Sequence, residues 1–145
     1  MEKLLVGACL LGENCKYSGG SNALPKEQLR ALAAGWELVP VCPEVAGGLS
    51  TPRTPSERRG EAVVTRDGRD VTAAFRAGAR LALETARREG CCRALLKQRS
   101  PSCGVGTVYD GSFTGTLRKG DGVAAALLRE AGLELYSEEE IEKLI

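Results

Sequence analysis

The 145-residue sequence contains no histidine. This absence excludes Ser-His-Asp and Cys-His catalytic arrangements, zinc fingers that use histidine, and acid/base catalysis by imidazole. The sequence also has no CxxC pair, the spacing typical of structural zinc sites. Any acid/base chemistry must therefore come from carboxylates, lysine, tyrosine or water.

Long hydrophobic runs and an excess of one charge are missing too. No apolar run approaches the roughly 18 residues that a membrane span needs. The formal net charge of +1 gives nucleic acid little electrostatic attraction. The opening stretch, MEKLLVGACLLG, is interrupted by Gly7 and Cys9 and is typical of a first strand rather than of a secretion signal. We therefore expect a cytoplasmic protein with one domain, residues 1–145, whose partner is a small molecule and neither a membrane nor nucleic acid.

The sequence does contain six cysteines. Without a signal peptide they indicate a reducing compartment, where clustered thiols are more often metal ligands or catalytic groups than disulfides. Cys91 and Cys92 are adjacent at a predicted helix end, so their side chains should point in different directions, and we interpret them as structural. A cysteine can also serve as a small buried hydrophobic residue, and for Cys9, Cys42 and Cys103 this alternative stays open.

Short apolar runs alternate with longer amphipathic windows along the chain. The predicted strands are 3–8, 36–41, 93–97 and 133–136, and the predicted helices are 25–35, 70–90, 121–132 and 137–145. A hairpin turning at Asp67-Gly68 should precede the second helix, and Ser137 with Glu140 should form a capping box at the last. Strands alternating with helices predict an α/β fold: a doubly wound, mostly parallel sheet with helices on both faces, of the Rossmann-like kind.

Three cysteines follow three of the predicted strands, namely Cys9, Cys42 and Cys103. The carboxyl ends of parallel strands meet at one edge of the sheet, where open α/β folds bind their ligands, so these thiols can converge. Three thiolates from separate loops would suit a cubane iron-sulfur cluster and would leave one iron without a protein ligand. Because soft metal sites favour soft ligands, the most favourable atom to bind this open iron would be sulfur.

Four stretches of the sequence together carry a specific resemblance: VGACLLGENCKYSGG, VPVCPEVAGGLSTPR, LLKQRSPSCG and YDGSFTGTLRKGDGVAAALLREAG. They resemble the thiouracil desulfidase family, and the likeness runs over nearly the whole chain. The resemblance implies an enzyme with a [4Fe-4S] cluster whose ligands are Cys9, Cys42 and Cys103. It further implies that the open iron takes the sulfur of a thiolated pyrimidine while the carbon-sulfur bond is hydrolysed.

The resemblance also implies roles for the side chains near these cysteines. It maps the acid/base pair of the family onto Glu44 and Ser100. A carboxylate two residues after a ligand can activate water or pass a proton, and a hydroxyl can donate to the substrate or orient water. Arg53, which could bind a carbonyl or phosphate oxygen, and Ser102 are predicted to contact the substrate, a thiolated base or nucleoside.

Several alternatives stay open. Cys15 lies in the same loop as Cys9, and its spacing would allow a fourth ligand or a sulfur-handling thiol, although the resemblance places it outside the ligand set. The protein could instead be a module that stores or delivers sulfur on a cluster without turning over a thiobase. A third possibility is a metal-free thiol redox protein that uses Cys91 and Cys92, or Cys9 and Cys15.

Overall fold

The computed structural model describes all residues from 1 to 145. The strands are β1 (Lys3–Gly7), β2 (Glu37–Val41), β3 (Ser56–Arg59), β4 (Ala62–Thr65), β5 (Arg93–Leu96), β6 (Thr107–Tyr109), β7 (Leu117–Lys119) and β8 (Glu134–Ser137). The α-helices are α1 (Lys26–Gly35), α2 (Pro43–Ala46), α3 (Thr72–Glu89) and α4 (Val123–Glu130), and two 3-10 helices span Ala8–Leu11 and Glu138–Lys143. The predicted alternation of four strands with four helices is thus present, with a 3-10 helix as its last member.

The central sheet has four parallel strands in the order β2-β1-β5-β8. Its strands are short and apolar because both faces are covered: Leu4, Leu5 and Val6 of β1 are all fully buried. The chain passes from β1 to a neighbour on one side, β2, and later to a neighbour on the other side, β5. The crevice between β1 and β5 is therefore the topological switch point, the usual place for a ligand in this architecture.

Helices cover both faces of this sheet, as the sequence predicts. On one face, Ala86 of α3 and Leu128 of α4 share an apolar cluster with Leu5. On the other face, Leu32 of α1 shares a second cluster with Leu4 and with residues of both 3-10 helices. None of the helices is both long enough and apolar enough to cross a membrane.

The final helix is a 3-10 helix and bends at Glu140, whose φ of −109° is not helical. The predicted capping box is confirmed there, with the Glu140 carboxylate accepting the backbone N–H of Ser137 at 3.4 Å. This cap starts the helix directly after the edge strand β8 and turns Ile141 into the core.

Two antiparallel ribbons lie outside the sheet, and the sequence prediction missed the strand pairing of the first. β3 and β4 pair across a two-residue turn at 60–61, one turn earlier than predicted. The predicted turn at Asp67-Gly68 exists, but it closes only an isolated bridge between Val64 and Asp70. The second ribbon, β6 with β7, was not predicted. Strands such as β3, with the sequence SERR, have no apolar alternation, which is the signal that periodicity detects.

Candidate active site

The three cysteines that follow the strands line a single cavity of about 550 Å³ at the carboxyl edge of the sheet. Cys9 lies in the 3-10 helix directly after β1, and Cys42 is the first residue after β2. Cys103 lies in the loop after β5. The three loops thus converge at the switch point, as the topology predicts.

The sulfur atoms of these cysteines are buried or half-buried and have polar neighbours. Asn22 Nδ2 donates to Cys9 Sγ at 3.4 Å, and Ser102 Oγ lies 3.6 Å from Cys103 Sγ. Burial raises the pKa of the Cys103 thiol, and the nearby charges of Glu44, Cys9 and Cys42 raise it further. Burial also raises the pKa of Cys9. The Cys9 and Cys103 thiols therefore favour the protonated form until a positively charged partner stabilises their thiolates.

The side chain of Ser100 organises the loop that presents Cys103. Its Oγ accepts the backbone N–H of Ser102 at 3.2 Å and that of Cys103 at 3.1 Å. The Ser100 carbonyl accepts the N–H of Gly104 at 2.8 Å, which closes the turn. Ser100 therefore fixes the backbone of Cys103.

The same turn is anchored on the start of α4. Val123 donates its N–H to the Pro101 carbonyl at 2.8 Å, and Ala124 donates to the Ser102 carbonyl at 2.9 Å. These bonds satisfy helix-start donors that have no partner inside the helix. The two segments touch so closely that a Cβ on Gly122 would stand 2.5 Å from the Ser102 carbonyl carbon. Glycine at 122 is therefore a requirement of this contact.

Cys42 is held by the short helix α2, which the sequence pattern did not reveal. Cys42 is the N-cap residue of α2, and Gly47 is its C-cap. Gly47 packs against α3, since a Cβ on Gly47 would collide with the Ala74 carbonyl oxygen. A Cβ on Gly78 of α3 would likewise collide with the Pro43 carbonyl oxygen. The glycines allow the two helix backbones to touch, and this contact fixes the residue that follows Cys42.

Glu44, Ser102 and Ser100 form a continuous chain of hydrogen bonds on the cavity wall. Ser102 Oγ donates to Glu44 Oε2 at 2.8 Å, and the Ser100 and Ser102 Oγ atoms are 3.0 Å apart. Each hydroxyl has one proton, so when Ser102 donates to Glu44, Ser100 must be the donor to Ser102. The structure thus brings the two predicted acid/base residues together through Ser102, which is only 2% exposed.

Arg53 is engaged mainly with the protein. Its Nε donates to Glu44 Oε1 at 3.1 Å, and its Nη2 donates to the Cys15 carbonyl at 2.9 Å. Its Nη1 donates to the Ser50 carbonyl at 3.1 Å and to Thr51 Oγ1 at 3.0 Å. A guanidinium has five N–H donors, so one remains for a ligand. Arg53 lines the cavity, and its clearest role is to fix the Glu44 carboxylate.

The remaining cysteines separate into two groups. Cys15 lines the same cavity, where burial, followed by the charge of Cys42, raises the pKa of its thiol to about 12. Cys91 is buried in the apolar cluster beneath α3 and α4, and Cys92 is exposed. Neither Cys91 nor Cys92 lines the cavity, which agrees with their structural interpretation.

Several other lining residues were not singled out in the sequence, among them Asn22, Arg66, Lys97, Tyr109 and Phe113. Lys97 pairs with Glu138 at 2.8 Å, which ties the loop after β5 to the C-terminal 3-10 helix. Lys97, Tyr109 and Asn22 lie within or beside the motif stretches, and this position was the only sign in the sequence that they line the cavity. Arg66 lies in a turn with no distinguishing pattern.

The donor set fits an iron-sulfur cluster. No three cysteine, aspartate or glutamate side chains are close enough together to hold a single metal ion. The three thiols instead surround a cavity, with an amide N–H directed at the Cys9 sulfur and the Ser102 hydroxyl oxygen 3.6 Å from the Cys103 sulfur. Thiolate ligands without imidazole suit iron-sulfur centres, and hydrogen bonds to the sulfur atoms are a feature of such sites.

Fold and site together define a class: an α/β protein with a three-thiol centre at the switch point of a parallel sheet, beside a carboxylate-hydroxyl chain. The family model described as 2-thiouracil desulfurase matches residues 4–140. The chain belongs to the 2-thiouracil desulfurase family, which confirms the membership predicted from its motifs.

Two known proteins are similar over their full length. A solved structure described as [4Fe-4S]-dependent thiouracil desulfidase TudS has 49% sequence identity and a TM-score of 0.94, covering 99% of this chain and 95% of that chain. The Bacillus subtilis (strain 168) protein described as uncharacterized protein YbbK is 39% identical over an alignment of 152 positions, which covers 98% of this chain and 99% of the relative.

Proposed function

We propose that this protein is a [4Fe-4S]-dependent desulfidase that removes sulfur from a thiolated pyrimidine such as thiouracil by hydrolysis. The observation that supports this function best is the convergence of Cys9, Cys42 and Cys103 on the cavity that also contains the Glu44–Ser102–Ser100 chain. Family membership and the likeness to TudS, which is described as a thiouracil desulfidase, support the same reaction.

Cys9, Cys42 and Cys103 would hold the cluster. When bound, the cluster supplies an iron without a protein ligand, which can bind the sulfur atom of the substrate and polarise its carbon-sulfur bond. Asn22 donates to the Cys9 sulfur at 3.4 Å, which stabilises the negative charge of a thiolate ligand. Cys15 stays outside this ligand set and lines the cavity wall.

The reaction that we propose is a substitution without net oxidation or reduction. The oxygen of one water molecule replaces the sulfur at the ring carbon, and the sulfur leaves as hydrogen sulfide. A thiocarbonyl thus becomes a carbonyl, and no electrons enter or leave. The protein has only to bind the ring, deprotonate water and return a proton to the substrate or the leaving sulfur.

Glu44 is the base in this scheme. Hydrogen bonds from Arg53 and Ser102 stabilise its charged carboxylate and fix its orientation. When Glu44 has taken a proton from water, the chain can reverse direction, with Glu44 donating to Ser102 and Ser102 to Ser100. Two backbone N–H groups already occupy the lone pairs of the Ser100 oxygen, so Ser100 passes its own proton to the substrate as it takes the proton that Ser102 donates. Ser102, predicted from the sequence to contact substrate, acts in this scheme through its two neighbours.

The substrate class that we favour is a free thiolated base or nucleoside. A cavity of about 550 Å³ lies within the range of roughly 300–1,000 Å³ that small-molecule sites occupy. Its lining mixes aromatic rings with charged and hydroxyl groups, as a heteroaromatic ring with polar edges requires.

The test is anaerobic reconstitution followed by incubation with 2-thiouracil. We expect about four irons per chain, as a cubane requires, and release of sulfide and uracil in equal amounts. The Cys92→Ala variant is the matched control, because Cys92 is exposed and outside the cavity. Iron binding without release of sulfide or uracil would favour a sulfur carrier instead. Failure to bind iron would favour a metal-free thiol protein.

A further inference from the structure

Aromatic rings form part of the cavity lining. Three aromatic side chains line it, those of Tyr17, Tyr109 and Phe113. A pyrimidine has two flat faces, and stacking on an aromatic side chain is the usual way in which a protein holds such a face. The three rings differ in how firmly the structure fixes them.

Phe113 stands in an unusual backbone conformation that its surroundings enforce. Its φ is 58°, in the left-handed region that a bulky residue seldom occupies. Glu57 Oε1 accepts the backbone N–H of Phe113 at 3.1 Å and that of Gly111 at 3.0 Å. A carboxylate on the first ribbon therefore fixes the loop of the second. Non-glycine residues in such conformations persist where the structure over-determines them, and they cluster at ligand-binding sites.

Two arginines complete the attachment of this loop. Arg59 Nη2 donates to the Gly111 carbonyl at 2.7 Å. Arg66 places the centre of its guanidinium 5.9 Å from the centroid of the Phe113 ring, a cation–π contact. Arg66 and Glu57 line the same cavity as Phe113. One face of the Phe113 ring thus contacts a cation, and residues of both ribbons hold the loop that carries it.

The other two rings are held differently. Tyr17 is 49% exposed and lies in the turn after Cys15. Tyr109 is part of β6, where it pairs with Leu117, so its position follows from the ribbon and needs no special anchor. Only Phe113 combines a strained backbone, a carboxylate that fixes its loop and a cation against its ring.

We propose that Phe113 is the ring on which the pyrimidine of the substrate stacks, and that Glu57 and Arg66 hold it in position. This inference rests on the proposed function, since it takes a planar thiolated base as the substrate. It makes Phe113 a specificity-determining residue, which favours flat heteroaromatic rings over small thiocarbonyl compounds without a ring. Stacking affects the bound substrate and the transition state alike, so its loss should raise KM and leave kcat largely unchanged.

The experiment compares Phe113→Leu with Phe113→Trp in the cluster-loaded enzyme. Calorimetry measures the Kd of uracil, which retains the ring without the reacting sulfur, and steady-state assays give KM and kcat for 2-thiouracil. Phe113→Leu should weaken uracil binding and raise KM by roughly 5- to 100-fold, the range expected for loss of one base-aromatic stack. Phe113→Trp retains a stacking face and should stay within about threefold of the unsubstituted protein.

Tyr17→Leu is the matched control, because it removes a ring from the same cavity at a position without these anchors. If Tyr17→Leu weakens uracil binding and Phe113→Leu does not, the assignment of the stacking ring is wrong. If Phe113→Leu and Phe113→Trp lose binding equally, a stacking role is also refuted. Failure of the proposed function is distinguishable from both, since the unsubstituted protein would then neither bind uracil nor release sulfide.

Discussion

The contact between α2 and α3 gives the sharpest structural prediction. Gly78 of α3 faces the backbone of α2, and a Cβ at position 78 would overlap the Pro43 carbonyl oxygen and stand 2.7 Å from its carbonyl carbon. Both atoms belong to the backbone, so no side chain can move away to relieve the overlap. Gly78→Ala must therefore displace α2, and with it Cys42 and Glu44.

The size of the effect follows from two opposed terms. Alanine in a helix interior is more favourable than glycine by about 1 kcal/mol, whereas overpacking a close contact costs about 1–3 kcal/mol. Gly35→Ala is the control without the second term, because Gly35 ends α1 and an added Cβ there would meet nothing within 4 Å. Relative to Gly35→Ala, we expect Gly78→Ala to be less stable by about 1–3 kcal/mol. For a chain of this length, that corresponds to a Tm lower by about 2–12 °C.

Two measurements decide this prediction. Thermal unfolding of the two variants without a cluster gives the difference in stability, and iron content after anaerobic reconstitution gives the effect on the site. Because Pro43 directly follows Cys42, Gly78→Ala should also retain less iron than Gly35→Ala. Equal Tm values together with equal iron contents would refute the claim that this glycine contact positions Cys42.

Two further predictions concern the ligands and the hydrogen-bond chain. Cys9→Ala, Cys42→Ala and Cys103→Ala should each abolish stable iron binding, whereas Cys91→Ala and Cys92→Ala should not. Wild-type iron content in any of the first three variants would contradict the ligand assignment. The same assay on Cys15→Ala tests the remaining thiol of the cavity. Glu44→Gln should keep its iron and lose sulfide release by roughly 10²- to 10⁴-fold, the usual contribution of a general base. Ser102→Ala should lower turnover although it leaves Glu44 and Ser100 in place, and Ser102→Thr, which keeps a hydroxyl, should have a smaller effect. Unchanged turnover in Ser102→Ala would exclude a role for the Ser102 hydroxyl.

The central sheet was predictable from the sequence because its strands are buried on both faces. Runs such as Leu4-Leu5-Val6 then appear as continuous apolar segments between amphipathic windows. The convergence of Cys9, Cys42 and Cys103 was predictable from their positions at strand ends, because parallel topology brings those ends to one edge of the sheet. Both inferences depend on local pattern together with a general topological rule.

The parts that were not predicted depend on contacts between distant segments. α2 has four residues, too few for a helical period, and it is fixed by its contact with Gly78. The second ribbon was missed because its strands of three residues each carry no alternation. The hydrogen bond from Asn22 to Cys9 links residues 13 positions apart, and a lone asparagine in a loop gives no sign of it.

The proposed acid/base chain and two of the three proposed ligands lie on the same two loops. Glu44 follows Cys42 by two residues, and Ser102 directly precedes Cys103, so the 2.8 Å hydrogen bond between Ser102 and Glu44 also joins two of the three ligand loops. Arg53 extends this connection to the third loop by donating to both Glu44 and the Cys15 carbonyl. Any displacement of a ligand loop therefore displaces a proton-transfer group as well. In the proposed mechanism, proton transfer depends on hydroxyl and carboxylate groups within about 3 Å of each other. Such coupling matters there, because proton transfer of this kind fails when the groups separate.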